Sequence, residues 1–169
     1  FESVSKTAAL IGNDNTGGDG GINANATTEI KGGTFKAPAG QKAVTGAENT
    51  GNPVITGGKF SSDVSEYLAD DCVQNANGEV GKLEQVAVAE VVAADGSTTT
   101  KYASLTGAVN AAKDGETVTL LKDVDLGSGY VNIAKKLTLD LNGYTVTGSN
   151  TWVIGVYSDV TINDSSNGQ

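Results

Sequence analysis

By residue type, Asp123, Asp125, Asp140 and Asp164 come closest to a set of side chains that could do chemistry. Hydrolysis of a glycosidic bond takes two carboxyl groups about 5–9.5 Å apart, one as acid and one as nucleophile or base. Polysaccharide lyases generally set a basic side chain, often Arg or Lys, beside carboxylates that hold calcium. This chain has no histidine, and all 11 of its basic residues are lysine. Asp140 alternates with Leu139 and Leu141, so in a strand it is expected to face away from them. Asp164 falls at a similar place in the next matching stretch, so the two are expected to stack along one outward face. There they read as solvated surface or turn residues, and no catalytic residue is assigned. A carbohydrate-active enzyme is the competing expectation.

Two more groups have the chemistry for a ligand. Asn13–Gly21 is a loop by composition, and Asp14 and Asp19 in it offer oxygen ligands of the kind calcium takes. No Glu closes the loop, so a plain turn is the simpler reading, with no cofactor required. Tyr130, Tyr144, Trp152 and Tyr157 could contact a glycan or a protein, since Trp and Tyr dominate binding hot spots and also stack on sugars. Filling the corners of the fold is the alternative, and Trp152, in a turn rich in Gly, Ser and Asn, is the most open of the four. Thr117, Thr119, Thr145, Thr147 and Thr161 invite comparison with ice-binding threonine ranks. The stretches at Thr138 and Thr161 offer one outward Thr each, and β-propensity accounts for them.

The elements that must position these residues are short strands. Val118–Leu120, Leu137–Leu141, Thr145–Thr147 and Val160–Ile162 alternate apolar and polar residues, and Gly, Asn, Asp or Ser stops each run. Val118 to Leu137 is about 19 residues and Leu137 to Val160 about 23, a long internal period. Similar motifs, LTLDLNG and VTINDSS, recur one period apart. A sandwich would space its turns at roughly 8–12 residues, so the period favours stacked rungs whose inward Leu, Ile and Val bury one another. The expected fold is therefore all-β, a parallel β-helix solenoid. A second set of rungs lies in residues 1–60, where EIKGGTF returns as PVITGGKF and Ile30 to Ile55 is about 25 residues, again one period. The Gly-Gly pairs predict tight corners that tuck Phe35 and Phe60 into the stack.

After Phe60 the rhythm stops. Ser61–Leu68 is expected to form a helical turn capped by Ser61 or Ser62, with Asp63 and Glu66 near its positive end. Residues 83–103 read as two strands flanking Asp95-Gly96, a hairpin signal. Leu105, Ala108, Val109 and Ala112 then fall on one face of a helix over 104–113, with Ser104 as N-cap and Gly115 as its left-handed stop. Leu105, Val109 and Ala112 are expected to cover the apolar end of the rungs that follow. The organisation is thus last rungs and a C-terminal cover in 1–82, a hairpin connector and N-terminal capping helix in 83–116, and first rungs of a second solenoid in 117–169.

Composition agrees. The chain has 169 residues, a net charge of −9, 23 glycines and few aromatics, so its core must be narrow and aliphatic. An acidic chain without arginine is a poor ligand for nucleic acid. No stretch approaches the ~20 apolar residues of a membrane span. Cys72 is alone and reads as a small apolar residue. The chain begins and ends inside what read as rungs, so it is expected to be a segment of a larger protein. The edge near Val160–Ile162 of one copy would then match that near Ala9–Ile11 of another, giving head-to-tail association into a filament.

The stretch GGKFSSDVSEYLADDCV resembles the closing motif of repetitive, adhesin-like surface proteins from gut Firmicutes. KYASLTGAVNAAKDGETVTLLKDVDL, followed by KKLTLDLNGYTVTG, resembles the opening of the β-helix modules in the same proteins. The resemblance implies right-handed, pectate-lyase-like β-helices that are exported and attached to the cell wall. It carries over no catalytic residues. It adds an extracellular, cell-surface setting, with neighbouring modules, other copies, or a host glycan or protein as partners.

Overall fold

Turn formers interrupt the chain so often that its strands are two to four residues long. The computed structural model describes residues 2–3, 9–11, 28–46 and 53–166. It separates into two units, Phe1–Gln74 with Gly78–Lys82, and Asn75–Asn77 with Leu83–Gln169. Both are rich in β-structure with few helices, and the sheets are short and open.

In the first unit the strands are β1 (Ala9–Ile11), β2 (Glu29–Ile30), β3 (Thr34–Phe35), β4 (Val44–Gly46), β5 (Val54–Ile55), β6 (Gly58–Phe60), β7 (Val73–Gln74) and β8 (Glu79–Gly81). Among the described residues three parallel strand pairs form: β1 with β4, β2 with β5, and β3 with β6. Ile30 lies opposite Ile55 and Phe35 opposite Phe60, the same step in both pairs and the one that the repeated motif anticipates. The two phenylalanine rings stack with centroids 5.0 Å apart and planes 7° from parallel. Gly57 makes this corner close: a Cβ there would lie 2.4 Å from the Lys31 carbonyl oxygen. Ile30, Phe35, Val44, Ile55, Phe60, Val64 and Val80 are buried in one apolar cluster.

The segment after Phe60 differs from its expected form. Only Ser65–Tyr67 turns helically, as a 3-10 turn, and its first N–H, on Ser65, is taken by Asp63 rather than by a serine. Ser62 instead accepts the Ala43 N–H at 2.8 Å, tying the turn to the strand region before it. Strand β8 pairs antiparallel with both β6 and β7, a hairpin that alternation in 61–82 does not announce. Cys72 is half-buried against the cluster, and burial pushes its thiol pKa up.

The second unit contains α1 (Leu83–Val86), β9 (Ala89–Val92), β10 (Thr99–Tyr102), α2 (Leu105–Ala111), β11 (Thr117–Leu120), β12 (Val124–Asp125), β13 (Val131–Ile133), β14 (Leu137–Asp140), β15 (Val146–Thr147), β16 (Ile154–Val156) and β17 (Val160–Asn163). One sheet runs β10-β9-β11-β14-β17, and β12–β15 and β13–β16 are parallel pairs beside it. In the main sheet Val118 faces Leu139, and Leu139 faces Ile162. The sequence spacing that matches Val118 with Leu137 therefore falls short of the true partner, which lies one alternation further on. Such a slip leaves every side chain on the same face, which is why alternation alone does not detect it. Thr117, Thr138 and Thr161 form a single column, whereas Thr119 faces Asp140, which faces Asn163. The threonines therefore make no double rank.

The connector is more integrated than a free ribbon. Leu83–Val86 is helical rather than extended, and β9 is an inner strand, antiparallel to both β10 and β11. Helix α2 begins as expected: Ser104 is extended and its side chain accepts the Gly107 N–H. It ends sooner than expected, since Ala112 is already extended, and Gly115, at φ 85°, belongs to the next turn. The free carbonyls of Asn110 and Ala112 are taken by the Lys135 ammonium, at 2.6 Å each. That lysine is too distant in sequence to be read as a cap.

Leu105, Ala108, Val109 and Ala112 are all buried, in a cluster with Val88, Val118, Leu120, Val131, Ile133 and Leu139. Helix α2 packs on β9, β10, β11 and β13. Val109→Asp places a carboxylate at a site 3 % exposed, at a cost of several kcal/mol. The expected outcome is loss of a cooperative urea transition in the second unit; a melt like the parent's would show that α2 carries no weight in the core.

Candidate functional site

The four aspartates are built into corners. Asp140 is the last residue of β14 and is buried, at 8 % exposure, instead of facing open solvent, because the turn that follows and the segment after β17 fold over its carboxylate. Its carboxylate accepts the N–H groups of Asn142 and Ser165, both at 2.9 Å. Register sets Asp140 opposite Asn163, so Asp164 is one place out of line and the two carboxylates do not form a matched rank. Asp164 accepts the Gly143 N–H at 2.8 Å and both the N–H and hydroxyl of Ser166. Asp123 accepts the Thr145 N–H at 2.8 Å, and Asp125 accepts that of Gly127 at 2.8 Å. Asn142, at φ 47°, and Gly143, at φ 82°, make the tight turn closed by Tyr144 N–H to the Leu141 carbonyl. The Asn142 amide reaches the carbonyl of Leu120, 22 residues back.

Burial raises the Asp140 pKa, but the donors of Ser165 and Asn142 outweigh it and hold the carboxyl below its usual range. Asp164 is also lowered, by the Ser166 hydroxyl and N–H and then by Gly143. What the arrangement does chemically is hold backbone N–H groups across successive rows.

The aromatic residues lie elsewhere. Tyr130 precedes β13 and Trp152 precedes β16, and the loops that hold them are laced together. Ser149 donates its N–H and hydroxyl to the Gly127 carbonyl, at 2.6 and 3.0 Å, and the Asn150 amide donates to the Ser128 carbonyl at 3.2 Å. Both bridges span 22 residues, as do Tyr130 and Trp152 themselves. The two rings meet edge to face, centroids 6.3 Å apart and planes at 61°. Tyr130 is 47 % exposed, Trp152 52 % and Tyr157 68 %. The Tyr157 ring lies across Gly155, where a Cβ would be 2.9 Å from Cε2 of that ring and 2.6 Å from Oδ1 of Asn132. Tyr144 is apart from them, at the β14–β15 corner.

The structure thus brings together Tyr130 with Trp152, and Tyr157 with Asn132 over Gly155. Asn132 and Gly155 are the members that sequence reasoning missed. The signal was there, in Val-Asn-Ile and Ile-Gly-Val, whose central residues face outward opposite each other. Asp14 and Asp19 lie outside the described residues. Among the described residues no three His, Cys, Asp or Glu side chains are grouped to hold a metal ion, and no helix is long and apolar enough to cross a membrane. No protein-family model matches the chain, and neither a curated protein nor a solved structure matches it.

Because the folded pKa of Asp140 is depressed, its stabilisation is present above the ordinary carboxylate value, about 3.9. It is lost as pH falls through the folded value. Asp164 adds to the same acid sensitivity. Asp140→Ala is expected to cost about 1–3 kcal/mol at neutral pH by leaving N–H groups unpaired. Asp140→Asn keeps an acceptor and should flatten the fall in stability below about pH 4. Urea melts of parent and variants from neutral pH down through the carboxylate range check both.

Proposed function

We propose that this chain is a non-enzymatic structural and adhesive segment of a bacterial cell-surface protein, held outside the cell, like the repetitive surface proteins its motifs resemble. In this reading residues 1–82 are the last rungs and C-terminal cover of one right-handed parallel β-helix. Residues 83–116 are the hairpin connector and N-terminal cap, and 117–169 the first rungs of a second. Support for the rungs comes from the parallel pairs of the second unit, β11–β14–β17, β12–β15 and β13–β16, each joining strands one repeat apart in sequence. Buried Leu105, Val109 and Ala112 support the cap.

The observation that carries the non-enzymatic reading is what the aspartates are doing. Asp123, Asp125, Asp140 and Asp164 each accept backbone N–H groups, so the side chains chemically suited to catalysis are engaged in shaping corners. Incubation with pectin, xylan and β-glucan is expected to release no reducing ends or unsaturated products. Turnover that disappears in Asp140→Asn or Asp164→Asn would replace this reading with that of a carbohydrate-active enzyme.

Partners of the segment are a neighbouring module or another copy, added at the free edge of β17. Inward positions on β17 and on β16 are open: Ile162 is 53 % and Val156 49 % exposed, where the residues facing them, Leu139 and Ile133, are fully buried. Covering such side chains with another rung is favourable by about 25 cal/mol per Å² of apolar surface. Sedimentation velocity is expected to show concentration-dependent association that Ile162→Lys weakens; a monomer at high concentration would remove self-association from the proposal.

A further inference from the structure

We propose that the outer face of the second unit carrying Tyr130, Trp152, Asn132 and Tyr157 binds a neutral polysaccharide. This deepens the adhesive reading and rests on it, since it names the ligand class of that face.

The exposed aromatic residues come at a cost. The chain has 1 tryptophan, and it stands 52 % exposed. Aliphatic residues fill the adjacent core without it, with Val131 and Ile133 buried. Leaving such large apolar rings in water forfeits the burial that stabilises other aromatic side chains, such as Tyr67 in the first unit. Their placement is also fixed. The two loops under Tyr130 and Trp152 are joined by hydrogen bonds across 22 residues, so the pair is held before any ligand arrives. At 61° the rings do not stack flat on each other, and both residues remain about half exposed, which leaves ring surface for a third group.

The surroundings select the ligand. From Leu141 to Ser158, and from Leu126 to Ala134, the sequence contains no charged residue, although the chain as a whole carries −9. Lys135, at the border, is engaged by the carbonyls of Asn110 and Ala112. Nothing in these stretches would neutralise a phosphate or uronate chain. What the face offers is aromatic rings beside an amide and hydroxyls: Asn132 next to Tyr157 over Gly155, and the tyrosine hydroxyls. A neutral sugar presents the complement, an apolar face of C–H groups ringed by hydroxyls. Neighbouring parallel strands are about 4.8 Å apart, close to the advance of one pyranose unit in an extended chain. Tyr130 and Trp152 lie on adjacent rows with ring centroids 6.3 Å apart, so a sugar chain running across the rows meets both. Tyr157, lying over Gly155 beside Asn132, extends the same face along β16.

The test is native electrophoresis of the 169-residue chain through gels containing hydroxyethyl cellulose, galactomannan, soluble starch or polygalacturonate. The expected result is retardation by at least one neutral polymer and none by polygalacturonate. Trp152→Ala should weaken it by roughly tenfold or more, as for a hot-spot aromatic. Tyr157→Ala, at the more exposed site, gives the same reading should Trp152→Ala melt early. Gly155→Val keeps every aromatic but displaces the Tyr157 ring, and should also weaken retardation with melting unchanged. Retardation by no neutral polymer, by polygalacturonate alone, or to the same extent in the folded variants overturns the proposal. Any of these would leave the turnover and sedimentation experiments, which test the structural reading, unaffected.

Discussion

The second unit depends on one constraint: strands one repeat apart in sequence must lie parallel in fixed register. Parallel pairing aligns like with like, so Leu137 meets Val160, Leu139 meets Val118 and Ile162, and Val131 meets Ile154. Each row buries its apolar side chains only because the next row supplies a matching set. Hydrogen bonds at spans of 22 residues then recur at every corner, from Lys136 to Asp114, Asn142 to Leu120, Thr145 to Asp123 and Asn150 to Ser128. Strands of two to four residues would be marginal alone. They persist because loops as well as strands are paired.

That constraint explains why the carboxylates accept backbone N–H groups at the corners. Each turn frees backbone N–H groups that strand pairing cannot reach, and an unpaired buried N–H costs more than a hydrogen bond gains. Aspartate is short, accepts several bonds at once and tolerates turns. Asp140 takes two such groups and Asp164 takes two more with a hydroxyl.

The same logic separates the two ends of the second unit's stack. On one side α2 and β9 supply the missing partner, α2 with an apolar face and β9 with an antiparallel edge. On the other, β17 is the last strand of its sheet, and its inward isoleucine is half exposed. An edge of this kind presents unpaired backbone N–H and C=O groups.

Much of this was legible in the sequence. Alternation placed the strands at Val118, Leu137 and Val160, the repeated Gly-Gly motif placed Ile30 over Ile55, and the spacing of Leu105, Val109 and Ala112 placed the buried face of α2. These are properties of local periodicity and of short-range steric preference, which residue order carries directly. The register between Val118 and Leu139 was not legible, because a shift by one full alternation preserves every inward side chain. Nor was the burial of Asp140, the capping of α2 by Lys135, or the meeting of Tyr157 with Asn132 over Gly155. Each joins residues brought together only by one row lying on another. Their partners are chosen by three-dimensional distance, which alternation along a single strand does not encode.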